Sequence, residues 1–252
     1  MWGGARVAVV IPAYREERLL PTTLRGLPAW VDEVVVVDDA SDDGTRAAAL
    51  ACAGGVGGAH TRLHVLTLPR NGGVGRAILT GYAEAARLGA AVAVVVGADA
   101  QMDPGEMGRL LSALDAGADY VKGERFSHPE VRARMPAARY WGGRALSLLT
   151  GLVAGLPALT DAQCGYTALR LSLLSALPVD ALYPRYGFPN DLLLRLSEAG
   201  ARVATVPVTP IYGSEVSKLS IPRVILPILW ILARGAARRL RRGGRGAGAA
   251  RA

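Results

Sequence analysis

Three oxygen-bearing side chains stand at alternate positions in the stretch GADAQMDP (97–104): Asp99, Gln101 and Asp103. The apolar run AVAVVV ends just before them. Because alternate residues of a strand face the same side, we expect the three side chains to converge just beyond the strand. Oxygen ligands suit Mg²⁺ or Mn²⁺, which complete their shells with waters and phosphate oxygens. The stretch therefore predicts a divalent metal site, although for Asp103 itself we favour capping of the helix that begins at Pro104.

Acidic residues also follow the second apolar run, EVVVVD, in the stretch DASDDGT. Asp39 directly ends this run, where helix capping gives no account of it. Asp42 and Asp43 fit two interpretations equally well, as site residues or as caps of the next helix. Further along, the glycines of RNGGVG allow the backbone to approach a ligand closely, and a tight turn explains them equally well.

The first apolar run ends in IPAYREE, which places Pro12, Tyr14 and Glu16 at its exit. A dinucleotide-binding fold has glycines at this position. The sequence therefore argues against a dinucleotide site and for another ligand at the same edge of the sheet.

These residues follow strands in a regular alternation of strands and helices. Apolar runs fit for buried strands occupy residues 6–11, 33–38, 64–68 and 91–96, and DYVKGER (119–125) follows them. Helical patterns occupy residues 16–27, 44–53, 75–89 and 104–117. Runs that are apolar throughout predict an α/β fold with a mostly parallel sheet flanked by helices. Ligands of such sheets bind at the carboxyl ends of the strands, where the acidic residues lie.

Composition limits the class of protein. Hydrophobic residues make up 51% of the 252-residue chain, which predicts a folded protein. Cys52 and Cys164 offer neither a disulfide framework nor metal-ligand spacing. The first apolar run begins too early for a signal peptide, so we expect a cytoplasmic protein. The net charge of +8 resides almost entirely in residues 234–252, which contain seven arginines and no acid.

The C-terminal region combines apolar and basic residues. Its apolar stretch, interrupted by Pro222 and Pro227, is too short for a membrane span, which needs roughly 20 apolar residues. Trp230 followed by clustered arginines suits residues 219–242 for an interfacial segment on anionic lipid. Residues 243–252 are expected to be disordered. A nucleic-acid-binding tail is the alternative, but no nucleic-acid-binding fold accompanies it, so we expect no nucleic-acid partner.

The motifs IPAYREE, VDDASDDGT, NGGVGRAILTGY and GADAQMDP, in this order and spacing, resemble those of the inverting family 2 glycosyltransferases with the GT-A fold. KGERF (122–126), DAQCGYTALR (161–170) and SKL (217–219) extend the resemblance, which runs over residues 6–220. Within the family, the sequence is most similar to polyprenyl-phosphate sugar synthases of the dolichyl-phosphate mannose synthase type. The resemblance implies a GT-A domain over residues 1–218.

The resemblance also implies which residues bind the donor, a nucleotide-diphosphate sugar. Pro12, Tyr14 and Glu16 would frame the nucleotide. Asp39 would bind its base or ribose. Further contacts to the nucleotide sugar are expected at Val37, Asn71, Gly97 and Ala98.

For the metal and the acceptor, the resemblance implies a second set of residues. Asp99 and Gln101 would hold the Mg²⁺ or Mn²⁺ that bridges the diphosphate. Arg125 and Lys218 would contact the diphosphate or the phosphate of a polyprenyl-phosphate acceptor. Asp161 matches an acceptor-side motif together with Gln163. The expected catalytic set is Asp99, Arg125, Asp161 and Lys218.

The sequence departs from the family pattern at two places. The metal motif of the family usually opens with another aspartate, and this chain has Gly97 there, which removes one ligand or sugar contact. An arginine expected shortly before the serine–lysine pair is also absent, since Ile211 and Tyr212 occupy that part of the chain.

The chemistry of sugar transfer bears on the choice of acceptor. Inverting transfer to an alcohol needs a general base. A phosphate monoester has a second pKa of about 6 and is already a nucleophile at neutral pH, so its transfer needs cations and a metal rather than a base. The histidines are scattered, and His128, which lies nearest to a motif, is expected to be a loop residue rather than a base.

Three hypotheses follow for the activity. In the leading one, a metal-dependent transferase moves a sugar from its nucleotide donor to a polyprenyl phosphate. In the second, the acceptor is a glycan or another alcohol, with Asp161 or Asp191 as the base. The third is a degenerate transferase fold kept for nucleotide binding, which Gly97 motivates.

The leading hypothesis implies an enzyme peripherally associated with the inner face of the cell membrane, on an anionic lipid surface. It leaves room for a membrane-protein partner. Residues 136–156, a helical stretch with an apolar body, fit a core helix and a lipid-facing helix about equally well.

Overall fold

The computed structural model describes residues 1–211 and 221–249, with side chains described up to residue 211 and from 224 to 241. Its strands are β1 (Val7–Ala13), β2 (Glu33–Asp38), β3 (Arg62–Thr67), β4 (Val92–Val95), β5 (Tyr120–Glu124), β6 (Thr167–Arg170) and β7 (Val203–Pro207). Its α-helices are α1 (Leu20–Arg25), α2 (Thr45–Ala51), α3 (Val74–Arg87), α4 (Met107–Asp115), α5 (Pro129–Arg134), α6 (Ala137–Ala154), α7 (Phe188–Glu198) and α8 (Ile221–Ala249).

The seven strands form one sheet in the order β3-β2-β1-β4-β6-β5-β7. Strands β1 to β4 pair in parallel, as do β5 and β7, whereas β6 is antiparallel to both of its neighbours. The prediction of a mostly parallel sheet is thus confirmed, with one reversed strand. Because β6 runs backwards, the loop that enters it meets the carboxyl ends of β4 and β5, so residues 161–166 join the same edge of the sheet.

The core lies on both faces of this sheet. Along β1, Val9 and Ile11 pack into a cluster with helices α1 and α4, while Ala8 and Val10 pack into another with α3 and α7. This alternation is the period-2 pattern of a strand buried on both sides. The apolar runs of the sequence therefore predicted the covered sheet correctly.

The predicted element boundaries differ from the observed ones mainly at the site. Helix α1 begins at Leu20 rather than at Glu16, and the backbone N–H of Glu16 donates to Thr45 Oγ1 at 2.8 Å. Strand β4 ends at Val95, two residues before Gly97. The residues that directly follow β1 and β4 belong to loops.

Helix α8 is part of the folded core. Ile228, Ile231 and Leu232 are buried against α6 and α7, in a cluster with Ala154 and Leu194. The helix runs through Pro227 and continues to Ala249. Residues 219–220 and 250–252 lie outside the described part of the chain, and the predicted division into an interfacial segment at 219–242 and a disordered tail at 243–252 stays a prediction.

Candidate active site

The loops after β1 and β2 are bound to each other. Arg15 forms an ion pair with Asp42, with Nε 2.6 Å from Oδ1, and its backbone N–H donates to Ser41 Oγ at 3.0 Å. The ion pair holds the pKa of Asp42 below its ordinary value. Asp43 accepts hydrogen bonds from the backbone N–H and hydroxyl of Thr45, at the start of α2. Helix-end bonding is thus confirmed for Asp43, while Asp42 ties the two loops together.

Three non-glycine residues at this edge have left-handed backbone conformations: Arg15 (φ 57°), Ala40 (φ 57°) and Ala100 (φ 55°). They follow β1, β2 and β4, and each sits beside a residue predicted for the site. A left-handed conformation costs about 1–2 kcal/mol for a residue with a Cβ, and such strain is concentrated at functional sites. No local sequence signal marks these positions, since alanine and arginine are poor indicators of this conformation.

The carboxylate of Asp39 is buried, and each of its two oxygens accepts a hydrogen bond from the glycine-rich turn. Oδ1 accepts the backbone N–H of Gly72 at 2.7 Å, and Oδ2 accepts that of Gly73 at 2.8 Å. The side chain of Asn71 donates to the carbonyl of Asp39 at 3.3 Å. Each carboxylate oxygen has a second lone pair, so the turn leaves acceptor capacity for a ligand. In the described structure, Asp39 joins the end of β2 to the turn that precedes α3.

The glycines of this turn are required by the protein's own packing. A Cβ at Gly73 (φ 90°) would lie 2.7 Å from the carbonyl of Pro184, and one at Gly75 would lie 2.7 Å from Phe188. Arg185 Nη1 also donates to Asn71 Oδ1 at 3.3 Å. The positive φ of Gly73 agrees with the tight-turn interpretation, whereas Gly75 lies within α3 and is required there by packing against Phe188. Sequence reasoning missed the segment 184–188 that covers the turn, because only a long-range contact reveals it.

The remaining residues predicted to bind the donor differ in accessibility. Tyr14 is exposed, and Pro12 and Glu16 are half-buried at the exit of β1. Val37 and Ala98 are buried in core clusters, so their side chains contact protein. The predicted ligand contact of Val37 and Ala98 is therefore limited to their backbone atoms, and it stays a prediction.

The GADAQMDP stretch is a loop, so strand alternation does not explain its spacing. Asp103 turns to cap the following 3₁₀ helix, and its Oδ1 accepts the backbone N–H of Gly105 at 2.8 Å. This confirms the capping interpretation. Asp99 and Gln101 are half-buried on either side of left-handed Ala100, and Asp99 Oδ1 accepts the backbone N–H of Gln101 at 3.2 Å.

Gly97 faces Asp99 directly. A Cβ at Gly97 would lie 2.8 Å from Asp99 Oδ1, which is closer than real Cβ contacts. The backbone N–H of Gly97 donates to Met102 Sδ at 3.2 Å, and its carbonyl accepts from Thr23 Oγ1 at 3.3 Å. The glycine thus permits the observed position of the Asp99 carboxylate.

The donor set fits a metal ion that arrives with its substrate. Within residues 1–211 and 221–249, no group of three His, Cys, Asp or Glu side chains could hold a metal. Asp99 and Gln101 offer one carboxylate and one amide oxygen beside each other. Mg²⁺ characteristically binds through one or two carboxylates and completes its shell with waters and substrate phosphates. These residues therefore suit a divalent ion that bridges a diphosphate.

Arg125 and Asp161 form a two-point ion pair at the carboxyl end of β5. Nε lies 2.8 Å from Oδ2 and Nη2 lies 3.1 Å from Oδ1, in the fork geometry typical of arginine and carboxylate. Asp161 has no exposure, whereas 21% of the Arg125 side chain is exposed. The buried carboxylate thus holds a partly exposed guanidinium. The structure brings together these two residues of the predicted catalytic set.

Asp161 also organises its own turn. Oδ1 accepts the backbone N–H groups of Gln163 at 3.1 Å and Cys164 at 3.0 Å. Burial raises the pKa of Asp161, but the nearby charges of Arg125 and Lys122 outweigh it, so the pKa lies below its ordinary value. Asp161 is therefore a carboxylate that anchors structure.

Neither carboxylate considered as a base is placed for that role. Asp161 is buried, and its oxygens already accept hydrogen bonds from Arg125, Gln163 and Cys164. Asp191 is buried in the first turn of α7, where it accepts the backbone N–H of Tyr183 at 3.0 Å and lies 3.9 Å from both Arg195 and Arg238. His128 caps α5 by accepting the backbone N–H of Glu130 at 3.3 Å, in keeping with a structural role.

The segment that follows β7, the strand next to β5 in the sheet, contacts the GADAQMDP loop. After β7, the backbone N–H of Ile211 donates to the carbonyl of Gln101 at 3.0 Å. Lys218 lies outside the described residues, seven positions further along. Its predicted contact with phosphate stays a prediction.

Comparison with known proteins places the chain in a family. Residues 8–177 match the family described as Glycosyl transferase family 2, so the chain belongs to this family of glycosyltransferases. The fold is that of GT-A enzymes. It aligns with glucosyl-3-phosphoglycerate synthase from Mycobacterium tuberculosis, solved with Mn²⁺ and uridine diphosphate, at a TM-score of 0.71 and 20% identity, over 93% of this chain and 81% of that one.

Two relatives are similar to this chain over most of its length. Undecaprenyl-phosphate mannosyltransferase from Micrococcus luteus is 36% identical over 213 residues, which cover 81% of this chain and 83% of the relative. Polyprenol monophosphomannose synthase from Mycolicibacterium smegmatis is 33% identical over 209 residues, which cover 81% and 77% respectively.

Proposed function

We propose that this enzyme transfers a sugar from a nucleotide-diphosphate sugar to a polyprenyl phosphate, with inversion at the sugar carbon. The observation that carries the proposal is Arg125, held partly exposed by the buried Asp161 at the sheet edge that also bears Asp99. A fixed guanidinium is a good partner for a phosphate group. The names of the two relatives, an undecaprenyl-phosphate mannosyltransferase and a polyprenol monophosphomannose synthase, agree with such an acceptor.

In the proposed reaction, an oxygen of the acceptor phosphate attacks C1 of the sugar. The bond from C1 to the β-phosphate oxygen breaks, and the nucleoside diphosphate leaves with that electron pair. The phosphate monoester is already ionised at neutral pH, so the enzyme does not have to remove a proton from it. The engagement of Asp161 and Asp191 in ion pairs supports this acceptor over an alcohol, which would need a base.

A divalent ion, Mg²⁺ or Mn²⁺, would be held by Asp99 and Gln101 and would stabilise charge on the leaving diphosphate. Arg125 would orient the acceptor phosphate. Asp39 and the residues after β1 would position the nucleotide. Lys218 is proposed to add positive charge near the phosphates.

We also propose that helices α6 and α8 bring the enzyme to the inner face of the cell membrane, on its cytoplasmic side. Both helices pack through one face, and both expose large apolar side chains on another. These exposed side chains are Trp141, Leu148, Leu149 and Leu152 of α6 and Ile225, Leu226, Leu229 and Trp230 of α8. Among the described residues, no helix is long and apolar enough to cross a membrane.

Such a surface fits peripheral binding, with apolar side chains inserted and arginines near anionic headgroups. Arg234 stacks over the ring of Trp230 at 4.3 Å, so a cation accompanies the apolar group there. The structure thereby favours both earlier interpretations of residues 136–156, since α6 has a core face and an exposed apolar face. A membrane-protein partner would use the same region.

The experiment that tests the function is sugar transfer with purified enzyme. Radiolabelled GDP-mannose, UDP-glucose and UDP-N-acetylglucosamine would each be supplied with undecaprenyl phosphate and Mg²⁺ or Mn²⁺. We expect one donor to give a lipid-soluble product that mild acid hydrolyses. A water-soluble product with a glycan acceptor, and none with the lipid phosphate, would contradict the proposal.

A further inference from the structure

Lys122 is a completely buried lysine in the middle of β5. Its Nζ donates a hydrogen bond of 2.6 Å to the carbonyl of Cys164. Burying an ammonium group is costly unless opposite charge and hydrogen bonds offset the loss of water. The position therefore calls for a reason beyond packing, and none of the site residues predicted from sequence accounts for it.

A short chain of hydrogen bonds connects Lys122 to Arg125. Lys122 holds the carbonyl of Cys164, the backbone N–H of Cys164 donates to Asp161 Oδ1, and Asp161 Oδ2 accepts Nε of Arg125. The turn 161–164 is therefore fixed from both sides. The guanidinium takes its orientation from a carboxylate whose own turn is held by Lys122.

The cluster of Lys122, Arg125 and Asp161 also brings buried charges together. Asp161 pairs with Arg125, and its charge also favours the protonated form of Lys122. The thiol of buried Cys164 also faces Lys122, and the paired residues on the neighbouring strands are uncharged threonines. Glu124 on the same strand is committed to the backbone N–H of Ser127 at 2.9 Å.

We propose that Lys122 is a positioning residue for the acceptor phosphate: it fixes the turn that aims Arg125, and it supplies buried positive charge that an incoming phosphate neutralises. This inference rests on the proposed function. Lys122 does not touch the substrate in this account. It acts through Cys164, Asp161 and Arg125.

The proposal makes acceptor binding sensitive to alkaline pH. Burial lowers the pKa of Lys122 to about 8, with the repulsion of Arg125 in the same sense, although the charges of Cys164 and Asp161 oppose it. Neutral Lys122 can still donate its hydrogen bond, so raising the pH removes the charge and keeps the turn. A bound phosphate dianion would raise the pKa of Lys122, and acceptor binding near pH 8 should therefore take up a proton.

Two variants separate the effect of the hydrogen bond from Lys122 to Cys164 from the effect of the positive charge of Lys122. Lys122→Met removes both, and Lys122→Gln keeps a hydrogen-bond donor without charge. We expect kcat/KM for farnesyl phosphate at pH 7 to fall roughly tenfold or more in both, since a charged hydrogen-bond partner or its field is lost. The dissociation constant for the nucleoside diphosphate should be unchanged. The wild-type decline in acceptor affinity above pH 8 should be absent in both variants.

A second readout tests the turn without any acceptor. In a Cys52→Ser background, the maleimide reaction rate of buried Cys164 reports opening of the turn. We expect roughly tenfold faster labelling in Lys122→Met and near-wild-type labelling in Lys122→Gln, because only the first loses the bond. Arg202→Met, which removes an exposed cation paired with Asp119, is the control and should change neither readout.

The outcomes distinguish this inference from the proposed function. If wild-type enzyme binds the nucleotide but transfers sugar to no lipid phosphate, the proposed function fails, and calorimetric binding of inorganic phosphate replaces the kinetic test. Weaker phosphate binding in both variants, with faster Cys164 labelling in Lys122→Met, would still support the inference. Unchanged acceptor kinetics or phosphate binding in Lys122→Met, or unchanged Cys164 labelling in it, would overturn the inference whichever substrate the enzyme uses.

Discussion

The buried carboxylate of Asp161 holds the partly exposed guanidinium of Arg125 at two points, with N–O distances of 2.8 and 3.1 Å. Removing one partner of a buried ion pair leaves an uncompensated charge. We expect Asp161→Asn to lower the free energy of unfolding by about 3–5 kcal/mol and to raise KM for the acceptor. Urea unfolding and steady-state kinetics would measure both effects.

Asp119→Asn is the matched control for that substitution. Asp119 also pairs with an arginine, Arg202, but that guanidinium is 70% exposed. Surface ion pairs contribute about 0–1 kcal/mol, so the change in stability should stay within that range. Equal losses in the two variants would show that burial of Asp161 does not have the proposed effect.

Acidification should destabilise the protein through the same carboxylate. The pKa of Asp161 is below its ordinary value in the folded state, so its contribution is fully present above the unfolded pKa of about 3.9 and is lost as the pH falls through the folded pKa. Stability should therefore fall below pH 4 more steeply in wild type than in Asp161→Asn. Urea midpoints measured between pH 2.5 and 6 would test this, and parallel profiles would remove Asp161 from the effect.

Asp99→Asn should abolish metal-dependent turnover while the fold is retained. The substitution keeps the shape of the side chain and removes the negative charge that Asp99 would offer to a cation beside Gln101. Turnover would be measured over a Mn²⁺ titration, with circular dichroism as the check on folding. Asp103→Asn is the control, because Asp103 caps a 3₁₀ helix and should affect stability but not metal dependence. Wild-type activity in Asp99→Asn, with or without a chelator, would show that the metal assignment is wrong.

Asp39→Ala should weaken nucleotide binding and also loosen the glycine-rich turn. Two backbone N–H groups, those of Gly72 and Gly73, lose their acceptor, and each orphaned buried group costs about 1–3 kcal/mol. Calorimetry with uridine and guanosine diphosphates would give the binding change, and thermal unfolding would give the stability change. A loss of stability with unchanged affinity for both nucleotides would assign Asp39 a structural role alone.

Replacing exposed apolar residues of α8 should release the protein from vesicles. Leu226→Ser together with Trp230→Ser removes apolar surface that is proposed to insert into lipid, so flotation with anionic vesicles should fall while nucleotide binding stays unchanged. Leu50→Ser, at an exposed leucine on α2, is the matched control. If wild-type protein fails to float with anionic vesicles even at low salt, the membrane proposal is lost.

The basic C-terminal residues are not all available to lipid. Arg238 Nε donates to Glu198 at 2.6 Å, and Arg239 Nη1 donates to the carbonyls of Leu152 and Val153. The sequence did not predict these contacts, because a run of arginines carries no sign of which groups it will meet after folding. Deletion of residues 234–252 is therefore expected to lower stability as well as vesicle binding.

Strand-end reasoning predicted where Asp39 and Asp99 lie in the fold, and their binding roles stay predictions. Both residues come after buried strands, a placement that depends only on hydrophobic runs and parallel topology, whereas Arg125, which the family resemblance indicated, follows β5. The strain at Ala40 and the buried charge of Lys122 were not predictable, because both depend on contacts between distant parts of the chain. Strand alternation was the wrong reason for the spacing of Asp99 and Gln101, since β4 had already ended.

The reversed strand β6 gives the enzyme a modular layout. Everything between Arg125 and Asp161, including α5 and α6, is one excursion that leaves the sheet at β5 and returns beside it at β6. The loops after β1, β2 and β4 all precede that excursion in the chain. The excursion can therefore be exchanged, together with the helix α8 that packs against α6, without altering the connections among β1 to β4.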